Sequence, residues 1–294
     1  MAILHPSHPA TAGLLLALLL SSCTESKDAV IPTPTPTPAV TNSETRDFAQ
    51  YTELQWSDEF SGSGALDPAK WDYNTGNNNG WGNQELEVYT TSTDNVNQTG
   101  GNLVIQPIRQ GTSPNYTYTS GRVLTKGRKD FQYGRIDVRA KLPKTQGIWP
   151  AIWMLGSDID TNNWPKCGEI DIMELRGQKP TEILTTMHYA DNGGSHQQSG
   201  IDAVKLPNNA SFADDFHVFS VVRSQDQTRF YLDGQQYYAL TKSNISQYPY
   251  PFNNNFFVVL NVAVGGNFLG NPDATTTFPQ QMLVDYVRFY QYKS

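Results

Sequence analysis

The chain has 294 residues, enough for one large domain or two modest ones, with a formal net charge of −7 and only 17% charged residues. No basic tract offsets that charge, which argues against a nucleic-acid partner, because phosphate binding needs a positive surface. Tyrosine, phenylalanine, tryptophan and glycine are plentiful, a profile that favours a β-rich protein with a neutral ligand over a helical one.

Residues 13–20, GLLLALLL, form an apolar run too short to span a bilayer but of the length of a secretory signal core. Ser21, Ser22 and Cys23 follow, an arrangement that resembles a bacterial lipoprotein box, in which the cysteine becomes the lipidated first residue. The preceding segment carries His5 and His8 but no lysine or arginine, which departs from that pattern and leaves an ordinary cleaved signal peptide as the alternative. The expectation is a lipoprotein-type signal peptide over 1–22, lipidation at Cys23, and a secreted or outer-membrane, cell-surface location in a bacterium. The lipid would be the sole membrane contact. Residues 23–48 include PTPTPTP at 32–38, which can form neither helix nor central strand and reads as an extended spacer. A single folded domain is expected over 49–294, acting as a monomer.

Within that domain, YGRIDVRAKL (133–142) alternates cleanly. Ile136, Val138, Ala140 and Leu142 face one way, and Arg135, Asp137, Arg139 and Lys141 face what is expected to be a solvated outer side. DQTRFYLDGQQYY (226–238) reads as two strands joined at an Asp233-Gly234 turn. FFVVLNVAV (256–264) is a continuous apolar run, expected as a central strand buried on both faces, and MLVDYVRFYQY (282–292) alternates again. No long amphipathic helix and no internal repeat interrupts these strands. The pattern predicts an all-β sandwich of two packed antiparallel sheets.

The chemistry concentrates in CGEIDIMELRG (167–177), where Glu169, Asp171 and Glu174 crowd together. On a regular strand Glu169 and Asp171 share a face, and Glu174 falls on the other. Acids on a strand commonly mark an exposed face or a cation site. Here WPAIW (149–153) adds Trp149 and Trp153 on one strand face, flat apolar platforms on which sugar rings stack. Their alternative role is core packing, but Ile148, Ile152 and Met154 already supply a core side.

Two carboxyl groups across a glycosidic bond are what its hydrolysis requires, one protonated to donate to the leaving oxygen and one ionised at the anomeric carbon. Mutual repulsion raises a neighbour's pKa and keeps it protonated near neutrality. Asp171, between the glutamates, is placed to share a proton or hydrogen bond with Glu169. Five strand residues span roughly 17 Å, against roughly 5–5.5 Å between the carboxyls of a retaining enzyme. A β-bulge at Ile172–Met173, with Met173 as the extra residue, would return Glu174 to the face of Glu169. Cys167 has no partner if Cys23 is lipidated or removed. It reads as a small buried residue rather than a thiol nucleophile paired with His188, and nothing has Cys/His zinc spacing.

Several blocks in order, WSDEF (56–60), GWGNQELEVYT (80–90), GIWPAIWMLG (147–156), WPKCGEIDIME (164–174) and LNVAVGGNF (260–268), resemble glycoside hydrolase family 16, and within it the laminarinase-like endo-β-1,3-glucanases. The resemblance covers roughly 54–292. It implies a β-jelly-roll sandwich with a concave cleft and a retaining double displacement without a catalytic cofactor. It makes Glu169 the nucleophile, Glu174 the acid/base and Asp171 the assisting acid. It places Trp149, Trp153 and Arg122 at substrate contacts and His188 beside the acids. Arg122 as a surface ion-pair partner and His188 as a structural residue are the other readings. A structural Ca2+ is implied at Glu59, Gly101 and Asp285, an oxygen set that suits a hard cation. A contact between terminal strands is the alternative there. Phe268 stands where many members of the family have tryptophan.

The implied substrate is a β-1,3-glucan of the laminarin type, with mixed β-1,3/1,4-glucan second. A non-catalytic β-glucan-binding module and a transglycosylase share the fold. Relatives that only bind lose the catalytic glutamates, and both are present here.

Overall fold

The computed structural model describes residues 46–293. The expected signal segment, Cys23 and the Thr-Pro repeat lie outside the described residues. In chain order the strands begin with β1 (Glu53–Asp58), β2 (Asp72–Tyr73), β3 (Glu87–Tyr89), β4 (Val96–Thr99), β5 (Asn102–Ile105) and β6 (Ile108–Thr112). They continue through β7 (Asn115–Ser120), β8 (Arg122–Leu124), β9 (Gly134–Lys141), β10 (Ile148–Gly156), β11 (Glu169–Leu175) and β12 (Glu182–Ala190). The last six are β13 (His196–Lys205), β14 (His217–Ser224), β15 (Gln227–Leu232), β16 (Gln235–Thr241), β17 (Phe256–Val264) and β18 (Met282–Gln291). Among the described residues, helical structure is confined to 3-10 turns of three or four residues.

These strands build the expected two-sheet sandwich. An eight-stranded sheet runs β16-β15-β14-β9-β18-β5-β4, with β1 also on β18, and a seven-stranded sheet runs β13-β12-β11-β10-β17-β8-β2. All pairings in both are antiparallel. The core lies between them. Ile136, Val138, Phe219, Phe230 and Val287 come from one sheet, and Ile148, Ile152, Ile170, Val258 and Leu260 from the other. Each such side chain contributes about 1.5–3 kcal/mol by leaving water, so the strands' alternation fixes which face turns inward.

The hairpin at Asp233-Gly234 forms as expected, both residues having positive φ (49° and 78°), the requirement of a tight turn matching strand twist. β17 is buried along its whole length. Val258, Leu260 and Val262 enter the main core, while Phe257 and Val259 pack with Leu124 on the opposite face beneath Trp153 and Leu155. Its apolar run therefore serves both the core and the floor of the site.

The outer side of β9 corrects an expectation. Asp137 is only 5% exposed. Residues 46–51, part of them within the stretch expected as spacer, lie across the Arg135 end of this face. Arg135 donates to the Phe48 carbonyl (3.0 Å), and its guanidinium sits over Phe48 and Tyr290, each at 4.3 Å. Arg229 donates to the Arg46 carbonyl (3.0 Å), and Phe48 packs on Tyr231. Alternation shows that β9 has a polar side. It is silent on a distant segment that covers it.

Candidate active site

The acidic strand β11 starts after Gly168, whose φ is +81° and whose added Cβ would fall 2.8 Å from Pro251, so glycine is required at this turn. Beyond it the strand breaks register where the parity conflict demands. Against β10, Asp171 pairs with Trp153 and Met173 with Ile152, which leaves Ile172 without a partner. Against β12, Asp171 faces Thr186 and Glu174 faces Leu184, so Ile172 and Met173 together oppose Thr185. This is the expected bulge, with one correction: the residue unmatched against β10 is Ile172, not Met173. Energetics explain it. A regular ladder would drive the Glu174 carboxyl into the apolar core at a cost of several kcal/mol, whereas a lost ladder bond costs about 1 kcal/mol.

Even that loss is largely recovered. The Ile172 carbonyl lies 2.9 Å from Thr185 Oγ1 and 3.2 Å from Tyr237 Oη, a side chain of the opposite sheet, and the two hydroxyls are bonded to each other, so the carbonyl always has a donor. Ile170, Ile172 and Met173 are fully buried, and Glu169, Asp171 and Glu174 all line one cleft of about 690 Å³.

Side-chain oxygens of Glu169 and Asp171 and a ring nitrogen of His188 lie within 4.8 Å of one another. His188 Nε2 stands 3.0 Å from Asp171 Oδ2 and 3.8 Å from Glu169 Oε1. Burial pushes Glu169 up to about 8, reinforced by the charge of Asp171, while His188, Arg122 and a hydrogen bond from Trp164 pull the other way. Burial likewise pushes Asp171 up to about 8, with a hydrogen bond from Glu169 opposing it. Glu174 is raised by burial and then by Asp171; His188 and Trp149 oppose this and Glu169 adds to it. His188 favours the charge of both acids, but Glu169 also has Arg122 and Trp164, whereas Glu174 has the charges of both Asp171 and Glu169 against it, so Glu169 is the acid better suited to ionise. Cys167, between Trp164 and Glu169, is buried and pushed up to about 12 chiefly by burial, as a packing residue should be.

Both tryptophans of β10 face the cleft, and each is fixed through its N–H. Trp149 Nε1 donates to Glu174 Oε1 (3.1 Å), and Trp153 Nε1 donates to Asn261 Oδ1 (2.7 Å). Their faces are partly occupied, by Phe268 at 4.6 Å from Trp149 and by the Arg122 guanidinium at 4.7 Å from Trp153. Arg122 is itself held between Trp153 and Trp81 (4.5 Å). The surface-ion-pair reading of Arg122 therefore gives way to a cation stacked in the cleft wall. The expected open platforms are closer to a wall of interleaved rings and cations, continued by Arg176 over Phe268 at 4.1 Å.

Residues 75–288 match the glycosyl hydrolases family 16. The chain belongs to that family. It is 42% identical over 259 residues to the glucan endo-1,3-beta-glucosidase A1 of Niallia circulans, covering 81% of this chain but 38% of that protein. It is 39% identical over 263 residues to the beta-glucanase of Rhodothermus marinus, covering 85% and 89%. Among solved structures, the laminarinase catalytic domain of Thermotoga maritima superposes with a TM-score of 0.74 at 41% identity, covering 82% of this chain and 99% of that one.

Several residues of this family 16 site had no role assigned from sequence. A hydrogen-bond relay runs from Trp153 through Asn261 to Tyr89 Oη (3.0 Å) and on to Glu85 Oε2 (3.2 Å). Behind it Glu87, wholly buried, is pushed up to about 8 by burial and the charge of Glu85, and accepts from the Val264 N–H (2.6 Å). Glu85, Glu87 and Tyr89 all come from GWGNQELEVYT, so the motif was visible while its contact with β17 was not. Trp164, beside Glu169 and both histidine rings, and His196, beyond His188, carried no signal of their own.

The residues expected to hold calcium are gathered by β18, where Asp58 of β1 sits opposite Val287 and Leu103 of β5 opposite Val284. Both carboxylates are engaged by arginine. Arg288 donates to both oxygens of Glu59 (3.0 and 2.7 Å), and Arg139 donates to Asp285 Oδ2 (2.7 Å). The oxygens that arginine leaves to a hard cation are the carbonyls of Glu59 and Gly101 and the second oxygen of Asp285.

Proposed function

We propose that this family 16 enzyme hydrolyses internal β-1,3-glucosidic bonds of laminarin-type glucans, and mixed β-1,3/1,4-glucans second, with retention of anomeric configuration. The observation that carries the mechanism is the bulge at Ile172–Met173, which puts Glu169 and Glu174 on one face of the cleft. Glu169 attacks the anomeric carbon while Glu174 donates its proton to the departing glycosidic oxygen. A covalent glycosyl ester forms as that C–O bond breaks. Glu174, now ionised, then takes a proton from water. The hydroxide equivalent displaces Glu169 and restores both acids to their starting states.

The division of roles follows the electrostatics. Glu169 has His188, Arg122 and Trp164 to support its charge, whereas burial and the charge of Asp171 keep the proton on Glu174. Trp149 holds Glu174 by its indole N–H, leaving the other oxygen free to donate. The 42% identity over 259 residues with the glucan endo-1,3-beta-glucosidase A1 of Niallia circulans supports the linkage. A binding module with the same fold would have no use for two glutamates brought together at the expense of strand regularity.

Product analysis on laminarin, lichenan, agarose and xyloglucan tests the reading. Laminarin oligosaccharides of intermediate length should appear first, and Glu169→Ser and Glu174→Gln should each lower kcat by about 10³-fold or more. Near-wild-type turnover in either variant would remove the assigned roles.

A further inference from the structure

His188 is not the end of the network that begins at the acids. Its Nε2 faces Asp171, and its Nδ1 lies 2.8 Å from Nε2 of His196. The two rings lie near-parallel at 5.0 Å with 27° between planes, and Trp164 packs against both, 4.8 Å from His196 and 6.3 Å from His188. His196 is the first residue of edge strand β13, opposite Ala190, and is exposed. It therefore joins a solvent-facing imidazole to a buried carboxylate through one intermediate ring. Asp171 Oδ2, the atom turned towards His188 Nε2 at 3.0 Å, is buried and has no aligned hydrogen-bond partner, so His188 is the polar group set to meet it.

A neutral imidazole carries one N–H, and a 2.8 Å nitrogen–nitrogen contact holds one proton between the rings. Two arrangements satisfy it. If His196 Nε2 donates, His188 accepts at Nδ1 and turns an N–H towards Asp171, which favours the ionised carboxylate. If His188 Nδ1 donates, its Nε2 lone pair faces Asp171, and only a protonated Asp171 is accommodated. Passing between them moves one proton from Asp171 Oδ2 to His188 Nε2 and another from His188 Nδ1 to His196 Nε2. His196 is left cationic until its Nδ1 proton passes to water.

We propose that His196 is a positioning residue, which selects the tautomer of His188 and thereby the charge on Asp171 that both glutamates feel. The charged and titratable groups facing the pair are Glu169 and Asp171 from β11, with Glu174 beyond them. Asp202 of β13 lines the same cleft, and Lys166 approaches the preceding loop at Gly194. Burial and the neighbouring His188 hold His196 below the usual histidine range, which fits a ring that is neutral at rest.

The inference rests on the hydrolytic reading above, so its test has one arm that needs no turnover. His196→Phe keeps an aromatic ring against Trp164 and removes the nitrogen; His196→Gln keeps a group that can donate or accept. In the full chain with 15N-labelled histidine, His196→Phe should shift the His188 ring nitrogens to the other tautomer. On laminarin it should lower kcat about tenfold at unchanged KM and displace the pH–rate profile, with most of the activity returning in His196→Gln. Unchanged His188 nitrogen signals with wild-type kcat and pH profile in His196→Phe would overturn the inference. Should the wild-type chain leave laminarin intact, the functional reading fails, and the 15N arm alone decides this one. A shift then supports it, and no shift overturns it.

Discussion

Glu169 holds its place against a thermodynamic penalty. Its pKa rises from 4.5 to about 8 on folding, chiefly through burial. The unfolded chain ionises first, so the penalty is absent below about pH 4.5, grows as pH rises, and is complete above about pH 8. Glu169→Gln removes the charge and keeps the shape. It should therefore stabilise the protein more near pH 9 than near pH 4, by on the order of 1–3 kcal/mol, as chemical denaturation at the two pH values would show. An equal effect at both would mean that the carboxyl is not strained by its surroundings. His188 touches the same acids, yet its importance could not be weighed from sequence, where a histidine on an alternating strand is most simply a hydrogen-bonded structural residue.

At the scale of the element, β11 is a strand whose irregularity is secured from two sides. Thr185, opposite the bulge, and Tyr237, from the other sheet, are both within hydrogen-bond distance of the carbonyl that the bulge leaves free and are bonded to each other, so one donates to the carbonyl and the other to its neighbour. Thr185→Val keeps the branched shape and removes the donor, and Tyr237→Phe does the same from across the core. Each single variant should cost about 1 kcal/mol of stability, and the pair more than the sum if the carbonyl is left unpaired. The double variant should also lose about tenfold in kcat, because a small displacement of Glu174 matters to proton transfer. Lost stability with kcat intact would show that Glu174 is placed by something other than this lock. The bulge itself was legible in the sequence, since three acids and three apolar residues cannot all be faced properly on a regular strand. The lock was not, because no local pattern ties Tyr237 to a carbonyl 65 positions away.

For the molecule as a whole, what the sequence made legible was what short periods encode. Alternation along β9 and β18, a β17 that is apolar but for Asn261, and the turn at Asp233-Gly234 suffice for a two-sheet sandwich. What it left hidden depends on register between distant strands. The Arg135 end of the polar side of β9 lies beneath residues 46–51, which no periodicity reports. The relay from Trp153 to Glu85 joins β10, β17 and the segment before β3 at a single point. His196 reaches His188 only because β13 pairs with β12 in one register. These contacts decide how the acids are charged, while the acids themselves were evident from their crowding.

The central claim is that the bulge makes Glu169 and Glu174 a nucleophile and an acid acting on the same bond. The most direct measurement is proton NMR of the anomeric signals during the first minutes of laminarin hydrolysis, before mutarotation. Two carboxyls about 5–5.5 Å apart should give the β-anomer first, with the α-anomer growing in later. Initial appearance of the α-anomer would require about 6.5–9.5 Å between them, with room for a water on the far face of the sugar, and would contradict the account.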